Sequence, residues 1–178
     1  MRVIAGQWGG RRLQAPPGAA TRPTSDRVRE ALFSVLGDRV AGADVLDLFA
    51  GSGALGIEAL SRGAATATFV DSASASIRAV HANLEAVGAG AEVRRSDARR
   101  FLGAASAASR QYDLVFLDPP YRLAGRLGSE LTAILPDVLA PGAVVVGESD
   151  RRSPLELGLP ILDERRYGDT LIRIHGSP

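Results

Sequence analysis

Asp47-Leu48-Phe49-Ala50-Gly51-Ser52-Gly53-Ala54-Leu55-Gly56-Ile57-Glu58-Ala59 is the stretch on which the reading of the fold turns. It begins inside the apolar run Val45-Leu46-Asp47-Leu48-Phe49 and leads into a helix-like segment, 54–61, so its glycines fall where a strand gives way to a helix. Without a Cβ, glycine lets the backbone turn tightly and come close to a ligand. As a bare pattern, Gly51-x-Gly53-x-x-Gly56 also matches the dinucleotide fingerprint, so the loop by itself admits more than one ribose-bearing ligand.

Downstream of this loop the pattern repeats. Short apolar runs at Ala67-Thr68-Phe69-Val70-Asp71, Val93-Arg94-Arg95, Leu114-Val115-Phe116-Leu117 and Val144-Val145-Val146 alternate with helix-like stretches near 75–86, 98–102 and 127–139. Such alternation predicts an α/β fold with a Rossmann-like, mostly parallel sheet and helices on both faces. The chain closes with 161–167, a Gly168-Asp169 turn and 170–174, which reads as an antiparallel hairpin at the sheet edge. Upstream, residues 2–14 read as a small hairpin around Gly9-Gly10, followed by the breaker Pro16-Pro17-Gly18. Ser25 or Thr24 can cap a helix whose apolar residues Val28, Leu32, Val35 and Leu36 share one stripe. Residues 1–40 are therefore expected to form an N-terminal extension and 41–178 one compact domain.

The bulk numbers agree with one domain. The chain has 178 residues, 46% of them hydrophobic and 23% charged, and no apolar run long enough for a membrane helix. Its default address is the cytoplasm, and nothing in it demands oligomerisation. With no cysteine and only His81 and His175, disulfides, thiolate zinc sites and cysteine nucleophiles are excluded, and no metal site is expected. A net charge of +1 means that any nucleic-acid contact is local. Residues 1–40 hold seven of the arginines against Asp26, Glu30 and Asp38. Arg11, Arg12, Arg22 and Arg27 are the candidates for phosphate contacts, while Arg29 and Arg39 read equally well as a solvated helix face.

Three carboxylates resolve the ambiguity of the glycine loop. Asp71 ends the second strand about 20 residues beyond it, where an acidic side chain accepts hydrogen bonds from ribose hydroxyls. Asp97 follows the third strand, placed to accept from an adenine amine, with Ala98 beside it. Asp47 decides between ligands: a carboxylate there suits the ammonium and sulfonium of S-adenosylmethionine and would repel a pyrophosphate. Each aspartate alone reads equally well as a helix cap or a solvated strand end, but three at successive strand termini mark a ligand crevice. The expected cofactor set is Asp47, Phe49, Ala50, Gly51, Ser52, Gly53, Asp71, Asp97 and Ala98.

The second decisive motif is Asp118-Pro119-Pro120-Tyr121, directly after an apolar strand. Two prolines fix φ twice and remove two N–H donors, leaving the local carbonyls as rigidly held acceptors. An exocyclic base amine is a poor nucleophile because its lone pair conjugates with the ring. Acceptors at Asp118 and the Pro119 carbonyl would localise that lone pair toward a methyl group, and Tyr121 can stack on a base taken out of its helix or loop. These residues point to methylation of a base amine. A DNA adenine or protein amide presents a similar planar amine, and a dinucleotide oxidoreductase or a non-catalytic ribosome-assembly factor on the same fold remains an alternative.

Arg22-Pro23-Thr24-Ser25-Asp26-Arg27-Val28-Arg29-Glu30-Ala31-Leu32-Phe33, the loop 47–59, Leu60-Ser61-Arg62-Gly63-Ala64 and Asp118 to Tyr121 together resemble the bacterial RsmD family, over nearly the whole chain. That resemblance implies a seven-stranded class I S-adenosylmethionine-dependent methyltransferase fold. It also implies the N2 amine of a guanine in 16S ribosomal RNA as acceptor, guanine 966 in the usual numbering. The 30S subunit or its assembly intermediate would then be the partner. Two positions depart from the pattern: Asp71 stands where many members carry Glu, and Trp8-Gly9-Gly10 has Gly where a basic residue is common.

Overall fold

A computed structural model describes residues 1–17, 25–120 and 124–178, the last from 127 onward with side chains. Arg22 and Tyr121 lie outside the described residues. The chain runs α1 (Asp26–Leu36), β1 (Asp44–Leu48), α2 (Ala54–Ser61), β2 (Thr66–Asp71), α3 (Ser74–Val87), β3 (Glu92–Arg95) and α4 (Ala98–Ala107). It continues through β4 (Tyr112–Leu117), α5 (Ala124–Ile134), β5 (Leu139–Asp150), β6 (Ile161–Tyr167) and β7 (Thr170–Gly176).

The seven strands form one sheet in the order β3-β2-β1-β4-β5-β7-β6. β1 to β5 are parallel, and β7 pairs antiparallel with both β5 and β6. The order reverses between β1 and β4, and a crevice opens at such a switch point beyond the strands' carboxyl ends. Val45, Leu114, Phe116, Val144 and Val146 face one core with α1, α2 and α3. Leu46, Leu48, Val115, Leu117 and Val145 face the other with α4 and α5. Burial on both faces explains why these strands read as unbroken apolar runs.

Three boundaries differ from expectation. α4 continues to Ala107 because Gly103-Ala104-Ala105-Ser106 carries a weak apolar signal yet keeps enough alanine, the best helix former, to propagate. α5 ends at Ile134, and a short 3-10 turn, Leu135–Val138, follows it. Pro136 cannot donate to a helical ladder, so the segment expected as helix to 139 breaks there. β5 runs from Leu139 to Asp150, far beyond Val144–Val146, because Gly147, Glu148 and Ser149 pair with Arg173, Ile172 and Leu171 of β7. Polar residues hid that extension.

The N-terminal arm is a loose hairpin closed by an Arg2–Arg12 bridge, and Val3 and Leu13 enter the same core as α1, α2 and β1. It is riveted to α2. The Glu58 carboxylate, fully buried, accepts from the backbone of Ile4 at 2.7 Å and Ala5 at 3.1 Å and from Arg62 Nε. At Gly6, φ is +82°, and a Cβ would lie 1.8 Å from the Ser61 carbonyl oxygen, so only glycine permits this approach.

Candidate active site

The glycine loop leaves β1 through Phe49, whose φ of +75° is unusual for a bulky residue. Phe49 and Ala50 both donate to the Val70 carbonyl, which holds the loop across the end of β2. Gly51 and Gly53 have φ of +56° and +77°, conformations glycine adopts without strain. Gly56 has another role: a Cβ there would meet the Phe69 ring at 2.4 Å, so its absence lets α2 lie tight on the sheet.

Two of the expected carboxylates hold this loop from below. Asp71 accepts from Gly51 N at 2.9 Å through Oδ2 and from Ala73 N at 2.8 Å through Oδ1, tying the loop to the start of α3. Asp47 is buried and accepts from Gly56 N at 2.9 Å. Burial pushes its carboxyl up to about 7, and the negative charge of Asp71 adds to the rise against the Gly56 hydrogen bond. Asp97 caps α4: Oδ1 accepts from the backbone of Arg99 and Arg100 and pairs with the Arg99 side chain at 3.3 Å.

Asn83 was not singled out by sequence. It sits fully buried on α3, where Nδ2 donates to Ser52 O at 2.8 Å and Gln14 O at 2.9 Å, while Oδ1 accepts from Gln14 N at 2.8 Å. One side chain thus fixes the glycine loop and the end of the N-terminal arm together. A polar residue inside the stripe Val80, Leu84, Val87 was the available signal.

Asp118 follows β4, with Pro119 buried and Pro120 exposed. β1 and β4 are neighbours, with Asp47 opposite Phe116, so the glycine loop and the Asp-Pro-Pro turn open at one place. Asp118 accepts no hydrogen bond among the described residues, and its carboxyl is driven well above the usual range, first by burial and then by the charges of Glu148 and Asp47. Raised carboxyls gathered at one crevice are what a cationic ligand relieves.

The arginines divide. Arg11, Arg12 and Arg27 are exposed, Arg11 with one bond to the Ala86 carbonyl. Arg29 is not on a solvated face at all. It is 1% exposed and donates to Arg2 O and to Asp26 at 2.9 Å. Burial lowers its pKa against the pull of Asp26, Glu58 and Glu148. His175 lies buried in β7 with Nδ1 3.2 Å from the Leu159 carbonyl. His81 is exposed and Trp8 packs against the core edge. No metal-binding cluster occurs among the described residues, and none of their helices is long and apolar enough to cross a membrane.

Sheet order, glycine loop and terminal carboxylates define a class I methyltransferase fold. The chain belongs to the bacterial RsmD family: the family model described as conserved hypothetical protein 95 matches residues 1–176. It is 43% identical over 163 residues to ribosomal RNA small subunit methyltransferase D of Escherichia coli, covering 90% of this chain and 78% of that one. A solved Thermus thermophilus protein, named only as hypothetical, superposes with a TM-score of 0.86 at 31% identity, covering 98% of each chain. The Thermus thermophilus 16S rRNA N2 G1207 methyltransferase, solved with AdoMet and guanosine, shares the fold with a TM-score of 0.71 at 22% identity, over 92% of this chain and 45% of that one.

Proposed function

We propose that the chain transfers the methyl group of S-adenosylmethionine to the N2 amine of a guanine in 16S ribosomal RNA, guanine 966 by family resemblance, within the 30S subunit or its assembly intermediate. The observation that carries this reading is the opening of the Asp47 and Asp118 strand ends side by side, one suited to a cationic donor and the other to an amine acceptor. The name of the Escherichia coli relative supports ribosomal RNA as the substrate. That substrate would place the work in the cytoplasm, and one copy of the chain holds both halves of the site.

The residues present fit the donor. Asp47 offers a buried carboxylate to the ammonium and sulfonium, Asp71 is assigned the ribose hydroxyls, and the open backbone of Gly51 leaves room beside it. Phe49, Ala50, Ser52 and Ala98 are assigned to the rest of the donor site, and Asp97 Oδ2, uncommitted among the described residues, can accept from the adenine amine. When bound, S-adenosylmethionine supplies an electrophilic methyl carbon.

Asp118 and the Pro119 carbonyl accept the two amine hydrogens and turn the nitrogen lone pair toward that carbon. The carbon–sulfur bond breaks as the carbon–nitrogen bond forms, and the surplus proton passes to Asp118 or water. Pro120 stiffens the turn and Tyr121 stacks on the base. Calorimetry should show binding of S-adenosylhomocysteine and none of NAD. Labelled methyl should pass to 30S particles rather than to DNA, and Asp118→Ala should abolish transfer while the product still binds. NAD binding, or label in DNA, would sink the reading.

A further inference from the structure

β4 and β5 run parallel with Phe116 opposite Val146 and Leu117 opposite Gly147, so Asp118 and Glu148 come next, abreast at the strand ends. Phe116 and Val146 face the same core, and side chains two residues on point the same way. Glu148 is therefore on the Asp118 side of the sheet and 4% exposed. After burial, its charge is the largest influence raising the Asp118 carboxyl. Arg29, buried on α1, is the cation that Glu148 stabilises from the same face. Setting a buried carboxylate beside the half-buried Asp118 is costly, and a fold that needed only one acceptor would put an apolar residue at the second position.

We propose that Glu148 selects guanine, accepting the hydrogen of the ring N1 while Asp118 accepts one from the exocyclic amine. Among the base amines only guanine N2 has a ring N–H beside it. Adenine N6 and cytosine N4 are flanked on that edge by a lone pair, which a carboxylate repels. A site built to accept a donor discriminates strongly against an analogue that presents a lone pair at the same place. Arg29 supplies the opposing positive charge on the same face.

This inference rests on the guanine-N2 reading, and one experiment separates the two. 30S particles from cells lacking the enzyme, carrying guanine or adenine at the target position, are methylated and the product nucleoside identified by mass spectrometry. If the wild-type protein makes a nucleoside other than N2-methylguanosine, the guanine reading itself fails. If it makes N2-methylguanosine, the variants test Glu148 alone. Glu148→Ala should lower kcat/KM on the guanine particle roughly ten- to a hundredfold, with S-adenosylhomocysteine affinity held within about twofold. Glu148→Gln, the same size, should lose less and should raise the adenine-to-guanine ratio, because its amide nitrogen donates to adenine N1. Unchanged kcat/KM and base ratio in both variants, or a fall in product affinity matching the fall in transfer, would overturn the proposal.

Discussion

In the proposed donor site, Asp47 serves the ligand against the stability of the fold itself. Its folded pKa, about 7, lies above its ordinary value of 3.8, so the free protein gains from the protonated form. That gain is complete at low pH and is lost as pH rises through about 7, where the buried carboxylate must ionise. A cation beside it reverses the balance. S-adenosylmethionine affinity should therefore rise with pH up to and through about 7, with proton release on binding visible as a buffer-dependent calorimetric enthalpy. Asp47→Asn keeps an acceptor for Gly56 N. It should flatten that pH dependence, weaken donor binding and raise stability at pH 8 by roughly 1–3 kcal/mol in denaturant titrations. A variant that binds the donor with unchanged pH dependence would contradict the assignment.

At the level of elements, the site is positioned by the contact of α2 with β1 and β2. Gly56 permits it, since a Cβ would press on both Cε1 and Cζ of Phe69, at 2.4 and 2.7 Å. Phe69 is fully buried and cannot swing into space. Gly56→Ala should cost about 1–3 kcal/mol in thermal or chemical unfolding, as overpacking does. Because α2 would lift, the Gly56 N to Asp47 bond should lengthen and donor affinity should fall as well. Loss of stability with unaltered donor affinity would mean that the helix can shift without disturbing the loop. Asn83 and Glu58 join the N-terminal arm to the same unit, so that α2, α3 and the arm form one rigid setting for the loop.

For the whole molecule, a net charge of +1 leaves RNA contact to local patches. The exposed Arg11 and Arg12 stand on an arm that is bonded, through Asn83, to the glycine loop. Replacing both by Ala should weaken binding to 30S particles and reduce the salt dependence of log K by as much as about 0.7–0.9 per lost phosphate contact. Donor affinity should not change, because neither side chain reaches the loop. An unaltered salt slope would remove the arm from the RNA contact surface.

Strand–helix alternation, the loop at 51–56 and Asp118-Pro119-Pro120 were legible in the chain because each is a local pattern: periodicity, turn chemistry and a rigid dipeptide act over a few residues. Five parallel strands and the closing hairpin followed from them. The role of Gly56 was not legible, since its reason is a ring thirteen positions away that touches it only after α2 packs. Arg29 looked like a surface charge because its burial, and the Arg2 carbonyl it donates to, arrive only when the arm folds back over α1; Asp26, three residues before it on the same helix, is a local partner. Asn83 and Glu58 bridge segments more than fifty residues apart, and a single polar letter in a helix says nothing of its destination. Glu148 gained its meaning from strand register alone, which sets it abreast of Asp118. Local preferences decide which elements form, whereas the partners of a buried charge are chosen by tertiary packing, because only there does the cost of leaving it unpaired arise.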